Sequence, residues 1–468
     1  MQKRTLSLII ITCSFIFTYA QGKYKSVNTK TAALMESYFE NSLKNDTTGD
    51  FKSTKTIRMC DISHYQQSVW KIWQNANSSF SEEKLPPLRQ LDSTAVGYWH
   101  LPEFLEPDAT MPFYYGKKTS ENNSQNSQAK TGSLPLYLYL HGSGPKSHEW
   151  STGLKLAKIF DDAPSAYFIP QIPNEGSYYR WWQRSKQWAW EKLLRQSLAS
   201  DDINPNRIYV FGISEGGYGS QRLASFYADY LAAAGPMAGG EPLRNAPVEN
   251  CANIGFSFLT GADDNGFFRN RFTRATKQAF DSLQAIHPQL FEHRIELIPG
   301  RGHGIDYRPT TPWLSQHTRN PYPKHIMWED FAMDGRHRRG FYNLRIDERQ
   351  KLDSLSRSYY TIDIDSNTIN IGVQTVTYEI LELDPYWHTI EMSFRRHYTP
   401  ATSGRFTLFL NENLVDLSKK VTVIVNGKKR FEGKLTPQLK YMAESVATFY
   451  DPCRIYPVAV QLSVEDSK

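Results

Sequence analysis

The stretch that most constrains this chain is Arg207–Tyr218, Arg-Ile-Tyr-Val-Phe-Gly-Ile-Ser-Glu-Gly-Gly-Tyr. A short apolar run, Ile208 to Phe211, meets Gly212-Ile213-Ser214-Glu215-Gly216, and a helix-like segment follows. This is the G-x-S-x-G spacing of a nucleophile elbow, a serine held on a sharp turn between a strand and a helix. The turn is so tight that the positions two before and two after the serine must be nearly free of side chain. It lifts the serine hydroxyl off the sheet edge, above the N-terminus of the helix.

A neutral hydroxyl attacks a carbonyl only if a base takes its proton, and the base needs an orienting carboxylate. Behind such an elbow the acid precedes the histidine in the chain. Among the histidines downstream of Ser214, His303 lies just beyond a good strand, in Pro299-Gly300-Arg301-Gly302-His303-Gly304, where glycines leave an imidazole room to turn. The acid is expected after the preceding strand, in Thr260-Gly261-Ala262-Asp263-Asp264-Asn265. Both aspartates are placed to reach the histidine. The Gly-x-x-Asp spacing favours Asp264, Asp263 stays open as the alternative, and Asp306 is a distant third. An anionic tetrahedral intermediate also needs preorganised N–H donors. The backbone of Glu215 supplies one and that of Ser143, in His141-Gly142-Ser143-Gly144, the second.

The pattern around these loops is regular. Strands are expected at Leu136–Leu140, Ala166–Pro170, Ile208–Phe211, Tyr230–Ala234, Gly255–Thr260 and Arg294–Ile298. Helices are expected at Gly153–Phe160, Gln187–Ala199, Tyr218–Tyr227 and Arg271–Ile286. Such alternation means βαβ units and a mostly parallel sheet covered on both faces, with functional groups at the carboxyl ends of the strands.

From about Leu134 to Tyr307 the chain resembles the α/β-hydrolase superfamily. The resemblance rests on His141-Gly142-Ser143-Gly144, Gly212-Ile213-Ser214-Glu215-Gly216, Asp264 and His303. It is similar in flavour to the exported esterase branch that includes feruloyl esterases and polyhydroxybutyrate depolymerases. The resemblance implies an α/β-hydrolase fold and ester hydrolysis by an acyl-enzyme route, in which Ser214 attacks, His303 moves the proton and Asp264 orients the imidazole. It implies no metal or organic cofactor. A serine peptidase on the same residues, and a non-catalytic glycan-binding protein with a degenerate hydrolase domain, are the competing readings.

Only about twenty residues separate the strand at 230–234 from that at 255–260, too few for a large lid. An open site suits acyl groups on polysaccharides or oligosaccharides. The run Tyr178-Tyr179-Arg180-Trp181-Trp182 follows a strand end. From it Trp182 is the candidate for substrate contact, together with His141.

The rest of the chain frames this domain. Its 468 residues exceed one average domain. A hydrophobic fraction of 40% is globular, and a formal charge of +6 without a Lys/Arg block points away from nucleic acid. Residues 1–20 carry Lys3 and Arg4, the apolar run Leu6–Phe17 and Thr18-Tyr19-Ala20 before Gln21. They read as a cleaved signal of an exported, secreted or periplasmic protein, with no membrane-spanning segment left after cleavage. Residues 21–95 form a helical extension, with helices at Lys30–Lys44 and Ser63–Asn75 that pack on the next domain. Residues 96–342 form the catalytic domain, opening with extended segments over Tyr98–Tyr115 and a polar loop at Lys117–Ser133. From 343 to 468 strand alternation and the Asn426-Gly427 turn signal describe an all-β, sandwich-like domain. There Tyr386-Trp387 reads as core packing, with a ligand platform as the alternative. Cys60, Cys251 and Cys453 allow at most one disulfide and no metal spacing.

Overall fold

A computed structural model describes residues 26–45, 49–119 and 134–465. The expected signal segment and most of the polar loop at 117–133 lie outside the described residues. Two helices come first, α1 (Thr29–Asn45) and α2 (Ile62–Ser79). In α2, Tyr65, Val69, Ile72, Trp73 and Ala76 recur at helical spacing and are buried. Three strands follow, β1 (Arg89–Gln90), β2 (Val96–His100) and β3 (Thr110–Lys118), the last two pairing antiparallel where extended segments are expected over 98–115.

The alternating region then runs β4 (Leu134–Leu140), α3 (Lys146–Ile159), β5 (Ser165–Pro170), α4 (Arg184–Ala199), β6 (Ile203–Ile213), α5 (Glu215–Phe226), β7 (Ala233–Met237), β8 (Gly255–Gly261), α6 (Arg269–Ile286), β9 (His293–Ile298) and the short α7 (Thr310–Leu314). The sheet order is β1-β3-β5-β4-β6-β7-β8-β9, with β2 on β3. From β5 to β9 every neighbouring pair is parallel. The chain therefore has a mainly parallel sheet flanked by helices, the fold class expected. The strand expected at 230–234 begins instead at Ala233. Its apolar run has no period to mark a start, and Ala228–Tyr230 forms a 3₁₀ turn whose Tyr230 hydroxyl donates to the Phe449 carbonyl.

Both faces of the sheet are apolar, which is why its central strands read as unbroken hydrophobic runs. Leu136, Leu138, Leu140, Ile208 and Val210 face α4 and α5. Tyr137, Tyr139, Tyr209 and Phe211, one residue out of phase, pack with Leu154 and Ala157 of α3 and Leu314 of α7.

The C-terminal region contains β10 (His325–Asp330), β11 (Gly340–Phe341), β12 (Leu344–Glu348), β13 (Arg357–Asp365), β14 (Thr368–Leu383), β15 (Glu391–Pro400), β16 (Arg405–Leu410), β17 (Lys420–Val425), β18 (Lys428–Lys434), α8 (Leu439–Phe449) and β19 (Val458–Ser463). One sheet is β10-β13-β14-β17-β18 with β15 on β14, and the other is β11-β12-β16-β19. The Asn426-Gly427 turn joins β17 to β18 with φ of 48° and 77°, the doubly left-handed pair a two-residue hairpin needs. Two features depart from the all-β region expected from 343. β10 joins its sheet from upstream, and α8 is a buried helix. The apolar spacing Leu439, Met442, Ala443, Val446 and Ala447 is helical, and α1 and α2 pack on it.

One continuous core joins these parts. Trp73 of α2 stacks on Tyr450 with centroids 5.7 Å apart. Beneath the sheet, Arg454 bridges Asp229 at 2.6 Å and Asp451 at 2.8 Å, Arg319 reaches Asp451 at 2.6 Å, and Arg338 meets Asp229 at 3.0 Å. Charges this deep persist because each is paired, and the pairing fixes how the β-rich region seats on the parallel sheet. Cys60, Cys251 and Cys453 are free thiols.

Candidate active site

Ser214 sits between β6 and α5 with φ 58° and ψ −115°, a region non-glycine residues seldom enter. The strain is held by close packing. A Cβ on Gly216 would lie 1.9 Å from the Leu140 carbonyl oxygen, and one on Gly212 would lie 2.4 Å from that of Gly216. The Ser214 N–H is tied to the Met237 carbonyl at the end of β7.

The loop after β9 brings His303 over this serine, with Nε2 3.0 Å from Ser214 Oγ. The loop after β8 brings Asp264, whose Oδ2 lies 2.8 Å from His303 Nδ1. An ionised carboxylate only accepts, so Nδ1–H donates to it, and Nε2 is left to accept from the serine hydroxyl. Of the acids left open, Asp264 is buried against His303, while Asp263 points to solvent and engages the loop through its backbone N–H to the Arg301 carbonyl. Asp306 turns away to bind the Arg308 guanidinium, which holds its carboxyl down at about 2.

Burial alone works to raise the Asp264 carboxyl, yet the group lies below the ordinary carboxylate range. Arg269 outweighs the burial, donating through Nε at 2.9 Å and through a terminal nitrogen at 2.7 Å, with His303 adding its own bond. Arg269 was not singled out in the sequence. The signal available was its position, five residues after the acid at the start of α6.

The loop after β4 lies on the other side of the elbow. Ser143 is exposed there, and a Cβ on the preceding Gly142 would come within 3.5 Å of Ser214 Cβ. Among the described residues, neither the Ser143 N–H nor that of Glu215, the first residue of α5, has a hydrogen-bond acceptor. His141, expected to touch substrate, is instead wholly buried. Its Nε2 accepts the Ile172 N–H at 3.1 Å, so Nδ1 carries the proton and lies 2.7 Å from the Gly142 carbonyl. Burial pushes the imidazole down to about 4, so it stays neutral and braces the loop from below. The aromatic run serves the same loop. Tyr179 Oη lies 2.7 Å from the Gly142 and 2.8 Å from the Gly144 carbonyl, and Trp181 Nε1 donates to that of His141.

Trp182 is half-buried, and one face of its ring is covered by the Arg222 guanidinium at 3.9 Å. Arg222 is in turn paired with Glu241 at 2.7 Å. Beside them lies the Glu215 side chain, 3.6 Å from Arg180 and with Oε1 buried without a partner. Burial pushes this carboxyl up to about 7, against the pull of Arg180. A further carboxylate, Glu149 of α3, fills the space that side chains on Gly142 and Gly144 would occupy. The sequence offered no sign of it, because α3 was expected to begin only at Gly153.

No family model matches the chain, and no curated protein matches it. Solved structures similar to it include a thermostable esterase, 20% identical with TM-score 0.36 over 48% of this chain; the match spans 64% of that esterase, under two thirds of its length. A ferulic acid esterase is 13% identical with TM-score 0.34 over 47% of this chain and 97% of its own. The S-formylglutathione hydrolase of Staphylococcus aureus is 15% identical with TM-score 0.32 over 50% of this chain and 96% of its own.

Proposed function

We propose that this chain is an exported serine hydrolase that cleaves carboxylic esters, with acyl groups on polysaccharides or oligosaccharides as its substrates. The observation that carries the reading is the hydrogen-bonded line Ser214–His303–Asp264, assembled from the loops after β6, β8 and β9 at the carboxyl edge of one parallel sheet. Ser214 Oγ attacks the ester carbonyl while His303 Nε2 takes its proton. Asp264 keeps Nδ1–H in place and stabilises the imidazolium that forms. The unbonded N–H groups of Glu215 and Ser143 are the donors for the oxyanion. His303 then returns the proton to the departing alkoxide. Water hydrolyses the acyl-enzyme by the reverse roles.

The open mouth supports a bulky substrate. The His303 side chain is 45% exposed, and the segment 238–254 between β7 and β8 folds into turns rather than a lid. Export rests on the signal-like residues 1–20.

A fluorophosphonate probe tests the reading, followed by turnover of p-nitrophenyl acetate, feruloylated oligosaccharides and aminoacyl p-nitroanilides. Labelling of the wild type and not of Ser214→Ala, with ester turnover, is the expected result. Equal labelling or turnover in Ser214→Ala refutes it, and anilide cleavage without ester preference moves the reading to a peptidase.

A further inference from the structure

The acid loop has a neighbour from the other half of the chain. Three and four residues after Asp264, Phe267 and Phe268 adopt left-handed φ values of 51° and 60°, and Phe267 is 65% exposed. Over them reaches the tip of the β14–β15 hairpin. Tyr386 lies on Phe268 with centroids 5.8 Å apart and planes within 18°, and Trp387 lies beside Phe267 at 6.5 Å and 19°. Tyr386 is 73% and Trp387 55% exposed, so the core packing expected for this pair does not occur.

This tip is rigid by construction. The buried Asp384 carboxylate accepts the backbone N–H groups of Tyr386, Trp387, Thr389 and Ile390 at 2.6–3.0 Å. Below the rings, Met392 and Ile390 pack with Phe268 and Phe272. Three ion pairs lie on the segments that carry and flank the rings: Arg271 with Glu382, Arg244 with Glu391, and Arg269 with Asp264. Large aromatic faces held in water by a preordered loop mark a binding surface. Each of these arginines already has a carboxylate, so none of the three is a free cation for an anionic lipid or a phosphate backbone. The pairs do leave polar edges beside flat apolar faces, the combination that a neutral pyranose ring presents in complement, with C–H groups on its face and hydroxyls at its rim.

We infer that Tyr386, Trp387 and Phe267 form a subsite that stacks the sugar rings of a neutral glycan beside the catalytic acid loop, making the β14–β15 hairpin a substrate-recognition element. The assignment of that glycan as the ester's carrier rests on the function proposed above; the binding itself does not. Full-length Ser214→Ala is titrated by calorimetry with neutral hexamers of β-linked xylose, glucose and mannose, alongside Ser214→Ala/Tyr386→Ala/Trp387→Ala. The three-substitution protein is expected to bind at least one hexamer about tenfold or more weakly, as loss of two stacking faces implies. On the Ser214 background, Tyr386→Ala/Trp387→Ala is expected to raise KM for acylated oligosaccharides severalfold more than KM for p-nitrophenyl acetate, with kcat on the oligosaccharides little changed. Circular dichroism melting confirms that both variants fold. No binding of any hexamer by the Ser214→Ala protein overturns the inference, as does equal binding by the two. Self-association of the wild type, or its binding to neutral phospholipid vesicles, that is lost with the two rings while hexamer binding is not, also overturns it. A wild type that hydrolyses no ester but loses hexamer binding with the two rings refutes the proposed function alone and leaves the subsite standing.

Discussion

Glu215 offers a quantitative test of the elbow's surroundings. It opens α5, where the helix dipole favours a negative charge, yet burial and the nearby Glu241 carboxylate push it up to about 7, with Arg180 and Arg222 pulling the other way. Its Oε1 has no partner to compensate a charge. In the unfolded chain the group titrates at an ordinary glutamate value. Between the two values the folded protein holds a proton that the unfolded chain has lost. The folded state is thus favoured fully below the unfolded value, and that advantage is lost as pH rises through about 7. A shift from 4.5 to about 7 corresponds to about 3 kcal/mol. Glu215→Gln has the same shape and cannot ionise. Its stability relative to wild type is therefore expected to rise by about 3 kcal/mol between pH 4.5 and pH 8.5, several degrees in melting temperature. Denaturant unfolding of both proteins across that range measures the difference. Parallel stability curves would show that the carboxyl is already ionised at pH 5, with Arg180 compensating the burial, and would refute the reasoning.

Three further outcomes follow from the site. Asp264→Asn is expected to lower kcat by roughly four orders of magnitude, while Asp263→Asn changes it by about twofold or less; steady-state kinetics on one ester decide between the neighbours. Arg269→Leu removes the bonds that hold the Asp264 carboxyl down, so that carboxyl should titrate at higher pH when followed by carboxyl-carbon NMR in both proteins; an unmoved titration would mean that His303 alone sets the carboxyl's state. Gly216→Ala forces a Cβ into the Leu140 carbonyl and should cost about 4 kcal/mol or more, read as insoluble protein or a collapsed melting temperature, whereas native-like melting would show that the elbow can relax.

Much of this architecture is carried by local pattern. The elbow glycines, the apolar runs of β4, β5, β6 and β8, and the order serine, aspartate, histidine are readable because each depends on residues adjacent in the chain. The Asn426-Gly427 turn is legible for the same reason. Assembly was not legible. The Gly-x-x-Asp spacing favours Asp264 over Asp263 without separating them, and the choice came from the packing of α6, which buries one beside Arg269 and leaves the other in water. His141 carried the same glycine-rich context as the loop of His303, yet the Ile172 N–H and the carbonyl of Gly142 occupy its ring beneath the surface. In Tyr386-Trp387 the ambiguity ran the other way, because an aromatic pair between strands reads as core until the hairpin's neighbours are known. By itself the sequence determined a parallel sheet with a serine on its carboxyl edge and an imidazole and carboxylates within reach. The tertiary structure alone decided which carboxylate meets the imidazole, which aromatic rings brace the loops and which face solvent. Those outcomes turn on burial and pairing between residues far apart in the chain, which no local period records.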